Sequence, residues 1–210
     1  MKIFIPKNKI KINKPKNPFI ITKFESKIYS LYNNGKIPYP VHLTKGNEVQ
    51  LSKIFQYISG KDWVLSTWRN HGHALMHGIN EKKLLKQIIL GKSMYVSSKK
   101  NKFLSSSIAG GMIPIALGLA LSIKRKKQKN KVWVFIGDMT SMMGSFYEVY
   151  NYSRNFNLPL EFVIEDNGKS VYTDTKKTWN ISKLSFPKDV FYYNFNMGYP
   201  HHGTGQWVSF

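Results

Sequence analysis

The sequence predicts an α/β protein in which helices flank a parallel β-sheet. Residues 132–136 form a continuous apolar run and residues 160–164 are apolar except for Glu161, so both are predicted to be strands buried in the sheet. Between them, residues 143–156 are predicted to form a helix. A strand, a helix and a second strand make a βαβ unit, which is almost always right-handed and which builds parallel sheets.

The segments before this unit supply the remaining elements. An apolar helix rich in small residues is expected at 113–123, with Pro114 in its first turn, where proline is tolerated. An amphipathic helix at 81–90 is predicted to stop at Gly91. Apolar spacing also predicts two short helices and one short strand, at residues 23–33, 47–59 and 63–65.

The chain is predicted to consist of an arm and one domain. Residues 1–22 are rich in lysine, asparagine and proline, and we expect them to form an extended basic arm. Neither a linker nor an internal repeat follows, so residues 23–210 are predicted to form a single domain. Residues 200–210 contain too much glycine and too many aromatic residues to be read as a helix.

Composition excludes several classes of protein. Hydrophobic residues make up 42% of the 210 residues, which is typical of a globular chain. There is no cysteine, so disulfides, thiolate metal sites and cysteine nucleophiles are excluded. No apolar run reaches the ~20 residues of a transmembrane helix, and the N-terminus lacks the apolar core of a signal peptide. We therefore expect a cytoplasmic protein without a membrane partner.

The net charge of +21 has two interpretations. It could mark a polyanionic partner such as nucleic acid, or it could be a lysine-rich solvated surface. The lysines are spread along the whole chain, and the one dense run, residues 124–131, falls where a helix gives way to a strand. This distribution favours a solvated surface, and we do not expect nucleic acid as a partner.

Polar residues follow the two strands of the βαβ unit. Asp138 comes after the first strand and Gly137, and Asn167 comes after the second. Ligands collect at the carboxyl ends of parallel strands, so these two side chains are predicted to lie side by side. Carboxylate and amide oxygens are hard ligands, and Mg²⁺ takes a few of them together with water and phosphate oxygens.

Further motifs surround these strand ends in a fixed order. They are Trp68-Arg69-Asn70-His71-Gly72-His73, Ile108-Ala109-Gly110-Gly111-Met112-Ile113-Pro114, Gly137-Asp138-Met139, Glu148-Val149-Tyr150-Asn151, Leu158-Pro159 and Asp166-Asn167. Over residues 60–175 this pattern resembles the thiamine-diphosphate enzyme family, in particular the alpha subunits of 2-oxo acid dehydrogenase E1 components. The signature of that family is Gly-Asp-Gly followed further along the chain by Asn-Asn.

The resemblance implies a three-layer thiamine-diphosphate-binding fold and a set of site residues. Asp138, Asn167 and the main-chain carbonyl of Lys169 would bind Mg²⁺. Arg69 would pair with the diphosphate of thiamine diphosphate. The resemblance also implies catalytic roles for His71, as a phosphate contact or proton carrier, and for His202, within a shortened substrate-side segment. Further cofactor contacts are expected from Trp68, Ser107, Ile108, Ala109, Gly137 and Met139.

The resemblance also implies a partner. The chemistry of the family needs a glutamate beside the cofactor, and the family often places this residue in a second domain on a separate beta-type subunit. None of the glutamates near the motifs has a setting that resembles this domain. The chain is therefore expected to be inactive alone and to assemble as α2β2, with a 2-oxo acid or a ketose as the small-molecule substrate.

Departures from the signature leave alternatives open. Met139 replaces a glycine, Asp166 replaces the first asparagine, and Trp68 stands where E1 subunits commonly have tyrosine. Residues 62–66 and 165–167 are also similar to the N-terminal part of transketolases. The chain could thus be the small subunit of a split transketolase-like enzyme that transfers ketol units, or a degenerate scaffold or basic binding module without catalysis.

Other classes of site compete with this interpretation. A zinc hydrolase could use His71, His73 and His77, with Asp138 as a carboxylate ligand, although Gly72 and Gly78 predict a loop around these histidines. Gly168-Lys169-Ser170 ends like a P-loop, but Val163 occupies the position of its first glycine. No Gly-x-Gly-x-x-Gly follows a strand, which argues against a dinucleotide site. Arg69, finally, could form only a surface salt bridge.

Overall fold

The protein is described here by a computed structural model that covers residues 2–210. Its main sheet contains seven strands, in the spatial order β1-β9-β6-β5-β2-β4-β3. In chain order these are β1 (Ile3–Phe4), β2 (Trp63–Ser66), β3 (Ser97–Ser98), β4 (Phe103–Ser105), β5 (Val132–Gly137), β6 (Leu160–Asp166) and β9 (Phe191–Asn194). A separate hairpin consists of β7 (Lys169–Ser170) and β8 (Thr173–Asp174).

Five adjacent strands of the main sheet, from β9 to β4, run parallel, and the edge strands β1 and β3 pair antiparallel to them. The strands predicted at 63–65, 132–136 and 160–164 are confirmed as β2, β5 and β6. The predicted α/β class is confirmed too, with a mixed sheet in place of a purely parallel one. The two antiparallel edges are two-residue strands, too short to carry a periodic signal in the sequence.

Seven α-helices occur among residues 2–210. They are α1 (Phe19–Asn33), α2 (Glu48–Ile54), α3 (His71–Met76), α4 (Glu81–Ile89), α5 (Met112–Arg125), α6 (Gly144–Asn155) and α7 (Thr175–Trp179). The predicted helices at 81–90, 113–123 and 143–156 correspond to α4, α5 and α6. The helix predicted at 47–59 is α2 followed by a single 3₁₀ turn at 55–57.

Two hydrophobic clusters cover the two faces of the sheet. Along β5 the side chains alternate: Trp133 and Phe135 belong to one cluster, and Val132, Val134 and Ile136 belong to the other. The first cluster contains the buried faces of α1 to α4, and the second contains those of α5 and α6. Because both faces are covered, the central strands are apolar at nearly every position.

The predicted N-terminal arm is packed against the domain at several points. Ile3 and Phe4 form edge strand β1 against β9, and Asn13 donates to the carbonyl oxygen of Ile58 at 2.6 Å. Helix α1 begins at Phe19, inside the segment predicted to be extended. Asn17 accepts a hydrogen bond from the backbone N–H of Phe19 at 3.0 Å, and Pro18 precedes the helix, as proline often does at a helix start.

Helix α3 corrects a predicted loop. Gly72 and Gly78 suggest a loop from the sequence, yet residues 71–76 are helical and all are buried. A Cβ on Gly72 would lie 3.0 Å from a side-chain carbon of Leu51 and 3.3 Å from Ile21. Gly72 is thus required by close packing against α1 and α2. Only Gly78 has the positive φ, +91°, that glycine favours.

No helix within residues 2–210 is long and apolar enough to cross a membrane.

Candidate functional site

A cleft opens at the carboxyl ends of β2, β5 and β6. Its lining includes Arg69 after β2, Asp138 after β5 and Asn167 after β6. The backbone N–H of Asp138 bonds to the carbonyl oxygen of Glu165 at 3.2 Å, so the pairing of β5 and β6 continues up to the cleft. The other predicted residues that line it are Trp68, Ile108, Ala109, Gly137, Met139 and Lys169. Strands far apart in sequence thus bring most of the predicted residues together.

Asp138 combines burial with an unused oxygen. Its side chain is 2% exposed, and its Oδ2 atom has no hydrogen-bond partner among the described residues. Burial raises the pKa of this carboxyl to about 6, since a charged group is poorly solvated there, and the charge of Asp166 adds to the rise. Thr175 lies beside it and opposes the shift without completing a hydrogen bond of normal geometry. A cation near Oδ2 would offset both the cost of burying a charged carboxylate and the cost of leaving its oxygen without a partner.

Asn167 and Asp166 have different roles at the end of β6. The Asn167 Oδ1 atom accepts the N–H of Lys169 at 3.1 Å, and this amide lines the cleft. Asp166 instead accepts the N–H of Gly168 at 2.9 Å and the hydroxyl of Tyr192 at 2.6 Å. The carboxylate of Asp166 therefore holds the turn that presents Asn167. This explains how aspartate is accommodated at the position of the first asparagine.

Met139 occupies an ordinary helical conformation, with φ −61° and ψ −41°. A glycine is not needed for this backbone geometry. Its sulfur accepts a hydrogen bond from the indole N–H of Trp179 at 2.9 Å. The departure from Gly-Asp-Gly is therefore compatible with the turn that aims Asp138 into the cleft.

Arg69 is held by main-chain carbonyls. Its guanidinium donates to Leu43 O at 3.1 Å and to His201 O at 2.9 Å, and lies 3.1 Å from His201 Nδ1. No carboxylate within residues 2–210 forms an ion pair with it, which argues against the alternative of a surface salt bridge. Burial lowers the pKa of Arg69 to about 10, so the group remains cationic near neutral pH. An unpaired, half-buried cation with N–H groups to spare suits a phosphate.

The segment before α5 forms a third wall. Ile108, Ala109 and Gly110 line the cleft together with Met112 and Ile113 of the first helical turn. Gly110 has φ +74°, so the turn into the helix requires glycine or strain. No side chain caps the N-terminus of α5, but this helix start has few N–H groups to offer an anion, because Pro114 has none and the N–H of Ile113 donates to the carbonyl oxygen of Gly110 at 3.0 Å.

A buried polar network behind the cleft was not predicted from the sequence. Glu165 lines the cleft, and its Oε1 atom lies 2.9 Å from His73 Nε2 and accepts the hydroxyl of Tyr193. Asn47, which also lines the cleft, donates to Tyr193 at 3.2 Å, and its own Oδ1 is buried without a partner among the described residues. Only the polarity of Glu165 at the end of an apolar strand could have indicated this network.

A cluster of rings adjoins Arg69. His42 lies 4.8 Å from His201 and 6.3 Å from Trp68, measured between ring centroids. Burial and the neighbouring cationic Arg69 lower the pKa of His42 to about 3, so this ring is neutral at physiological pH. Its Nδ1 atom is buried without a partner among residues 2–210. The sequence gives no signal for His42, since a lone histidine in a loop carries no pattern.

Three predicted site residues lie outside the lining of the cleft. His71 is fully buried, with Nδ1 at 3.3 Å from Glu25 and Nε2 at 3.0 Å from Ser93. Both ring nitrogens are thus engaged away from the cleft, and the structure does not support contact with a phosphate. His202 is exposed and lies 3.2 Å from the hydroxyl of Tyr172, and Ser107 is exposed as well.

The competing site classes lack the required geometry. His71, His73 and His77 diverge: they contact Glu25, Glu165 and the carbonyl oxygen of Asp62, respectively. Within residues 2–210 no group of three histidine or acidic side chains could hold a metal ion, which contradicts the zinc alternative. Lys169 and Ser170 form strand β7 rather than the start of a helix, so the P-loop alternative fails too.

Comparison with known proteins gives one consistent result. Residues 17–186 match the dehydrogenase E1 component family. The chain is 27% identical to the pyruvate dehydrogenase E1 component subunit alpha of Rickettsia bellii, over 84% of this chain and 55% of that protein. For the corresponding subunit of Zymomonas mobilis the identity is 32%, over 75% of this chain and 48% of that protein.

The alpha subunit of acetoin:2,6-dichlorophenolindophenol oxidoreductase from Bacillus subtilis is also 32% identical, over 70% of this chain and 47% of that protein. The chain therefore spans about half the length of the curated relatives it matches. The match extends well beyond the cleft, from the start of α1 to the segment that leads into β9.

Proposed function

Because the chain belongs to the dehydrogenase E1 component family, we propose that it is the alpha-type, cofactor-binding subunit of a two-subunit enzyme that acts on a 2-oxo acid. Its cofactor would be thiamine diphosphate, bound with Mg²⁺ in the cleft. One observation carries this proposal: the buried, unpartnered Oδ2 of Asp138 lines the same cleft as Asn167 and the unpaired cation Arg69. The matched family favours a 2-oxo acid over the ketose alternative.

The residues of the cleft suit a magnesium diphosphate. Asp138 and Asn167 would bind Mg²⁺ through their side-chain oxygens, and Lys169 would add its carbonyl. Three protein oxygens fit Mg²⁺ because this ion keeps several water or phosphate ligands. Arg69 would hold the phosphate oxygens through the N–H groups of its guanidinium. The cleft thus offers oxygen ligands for a metal ion and a cation for a diphosphate, which supports the proposal.

When bound, thiamine diphosphate supplies an electron sink for cleavage of a bond next to a carbonyl group. The role of this chain would be to bind and orient that cofactor and to keep water out of the buried end of the cleft. Ser66, Phe135 and Glu165, which line the cleft, are all buried. His42 is neutral and close to Arg69, so it can accept or donate a hydrogen bond without adding charge.

The partner is proposed to be a beta-type subunit that carries the catalytic glutamate, in an α2β2 assembly. An apolar outer face of α5 supports this. Ile115 is 42% exposed, and a Cβ on Gly118 would meet no atom within 4 Å. Such a face lets another subunit approach the helix backbone closely. The cytoplasmic location expected from the sequence stays a prediction.

The proposal is tested by titrating the chain with thiamine diphosphate while tryptophan fluorescence is recorded, since Trp68 lines the cleft. We expect saturable quenching that requires Mg²⁺ and that Asp138→Ala abolishes while the thermal unfolding transition remains. Glu81→Ala, which removes an exposed carboxylate on α4, serves as the matched control and should bind normally. Equal binding by Asp138→Ala would remove Asp138 from the site. Turnover by the chain alone would contradict the need for a partner.

A further inference from the structure

A second concave surface lies at the opposite end of the sheet from the cleft. It is formed where three neighbouring parallel strands begin: Lys102 precedes β4, Asp62 precedes β2, and Asn130 lies just before β5. We refer to this surface as the basal pocket. Its full lining is Ser59, Lys61, Asp62, Lys102, Lys127, Gln128, Lys129 and Asn130.

The positive charge of the basal pocket is not neutralised by ion pairs. No carboxylate within residues 2–210 forms an ion pair with Lys61, Lys102, Lys127 or Lys129. Asp62, the one acid of the lining, is 4% exposed. Its oxygens accept the backbone N–H groups of Ser59 at 2.9 Å and Lys131 at 2.8 Å and the indole N–H of Trp133 at 3.1 Å. Asp62 is therefore occupied with holding the strand starts together.

The strand geometry concentrates these lysines. Neighbouring strands lie about 4.8 Å apart, so lysines at the starts of adjacent strands are close enough to repel one another. Lys102 donates to the carbonyl oxygen of Lys61 at 2.8 Å, which fixes one ammonium group at the pocket while leaving it further N–H groups. Gln128 and Asn130 add carboxamide donors. The pocket thus offers many donors and little free negative charge.

We propose that the basal pocket binds a compact polyphosphate group, such as that of a nucleoside triphosphate or an inorganic polyphosphate. Ammonium and carboxamide donors around a concave surface suit phosphate oxygens. The walls are Lys102 and the short segments 59–62 and 127–130, which suit a compact group rather than a long helix or duplex. The site gives a role to the lysine run at 124–131, which lies outside the cleft and whose sequence alone indicates a solvated surface.

The test compares two variants that lose the same charge. The first is the triple variant Lys61→Gln, Lys127→Gln, Lys129→Gln, and the control is Lys82→Gln, Lys83→Gln, Lys86→Gln on α4. All six lysines are exposed, so neither variant disturbs the core. Binding of tripolyphosphate and of ATP is measured by calorimetry without Mg²⁺. Arg69→Gln is included so that binding in the cleft is recognised separately.

We expect the basal variant to bind tripolyphosphate about tenfold more weakly, as three modest ion pairs are lost, and the α4 variant to change less than about twofold. A parallel loss for ATP means that the phosphate chain alone is recognised. A loss for ATP only assigns the site to a nucleotide. Equal losses in the two triple variants would show attraction by net charge and overturn the proposal, as would binding that disappears in Arg69→Gln.

Discussion

The Nε2 atom of His73 lies 2.9 Å from the Oε1 atom of Glu165, and this pair links two walls of the cleft. The other ring nitrogen of His73 lies 3.1 Å from both the hydroxyl of Ser66 and the carbonyl oxygen of Arg69. His73 therefore ties the cleft-lining segment 66–69 to the end of β6. Removing His73 would therefore loosen the segment that carries Arg69. Glu165 would keep one partner, the hydroxyl of Tyr193.

His73→Leu is expected to lower the free energy of unfolding by about 3 kcal/mol, because it leaves the buried Glu165 carboxylate without one of its partners. Glu165→Gln keeps a hydrogen-bonding group of the same shape and is expected to cost less. Urea denaturation of the two variants and the wild type measures the difference. A His73→Leu protein as stable as the wild type would contradict the role assigned to this pair.

Asp138→Asn is expected to change how stability depends on pH. The pKa of Asp138 is about 6 in the folded protein, above its ordinary value of 3.8, so folding favours the protonated form. The wild type should therefore lose stability relative to Asp138→Asn as the pH rises from 4 to 6. Above pH 6 the variant should be more stable by up to about 3 kcal/mol.

This prediction is checked by measuring the free energy of unfolding of both proteins at several pH values without Mg²⁺. The difference between the two curves isolates Asp138 from the other titrating groups. Curves that run parallel from pH 4 to pH 7 would show that Asp138 has an ordinary pKa in the folded protein.

Arg69→Lys is expected to weaken binding of the magnesium complex of thiamine diphosphate by tenfold or more, about the effect of losing one charge-assisted hydrogen bond. Lysine keeps the charge but lacks the planar guanidinium. The guanidinium of Arg69 contacts Leu43 and His201 and still has N–H groups free for a phosphate. Arg125→Lys, at the exposed end of α5, is the control and should have no effect. Fluorescence titration measures the affinity of both variants. An Arg69→Lys protein that binds as tightly as the wild type would show that the diphosphate lies elsewhere.

Gly118→Leu is expected to block assembly with a beta-type subunit while leaving the isolated chain folded. The outer side of Gly118 is open, so a larger side chain is tolerated in the single chain but would separate the two subunits. Gly118→Ala should assemble and gain about 0.5–1 kcal/mol of stability, as alanine favours a helix interior. Co-expression with the beta-type subunit and size-exclusion chromatography distinguish the variants. Unimpaired assembly of Gly118→Leu would exclude this face from the interface.

Long apolar segments could be predicted well from the sequence. The runs that become β5 and β6 are buried on both faces, so composition alone identifies them, and the connecting helix follows from its spacing. The positions of Asp138 and Asn167 at two strand ends then predicted a shared cleft, because neighbouring parallel strands end at the same edge. The lining of that cleft includes both residues.

Short elements and histidine contacts could not be predicted in the same way. Helix α3 is six residues long and contains Gly72, so its local sequence resembles a loop, and only its packing against Ile21 and Leu51 explains the glycine. His71 and His73 are two residues apart on that helix, and therefore point in different directions. The helix orientation directs His73 toward Glu165 and His71 toward Glu25.

Hydrophobic pattern and chain direction are local properties, so the sequence alone predicts the α/β class, the main strands and the two oxygen donors at their ends. The polar contacts depend on the folded structure, which brings together His73 and Glu165, Arg69 and the carbonyl groups of Leu43 and His201, and the lysines of the basal pocket. Those contacts join residues far apart in the chain, and their formation depends on how the helices pack on the sheet, which no local pattern encodes.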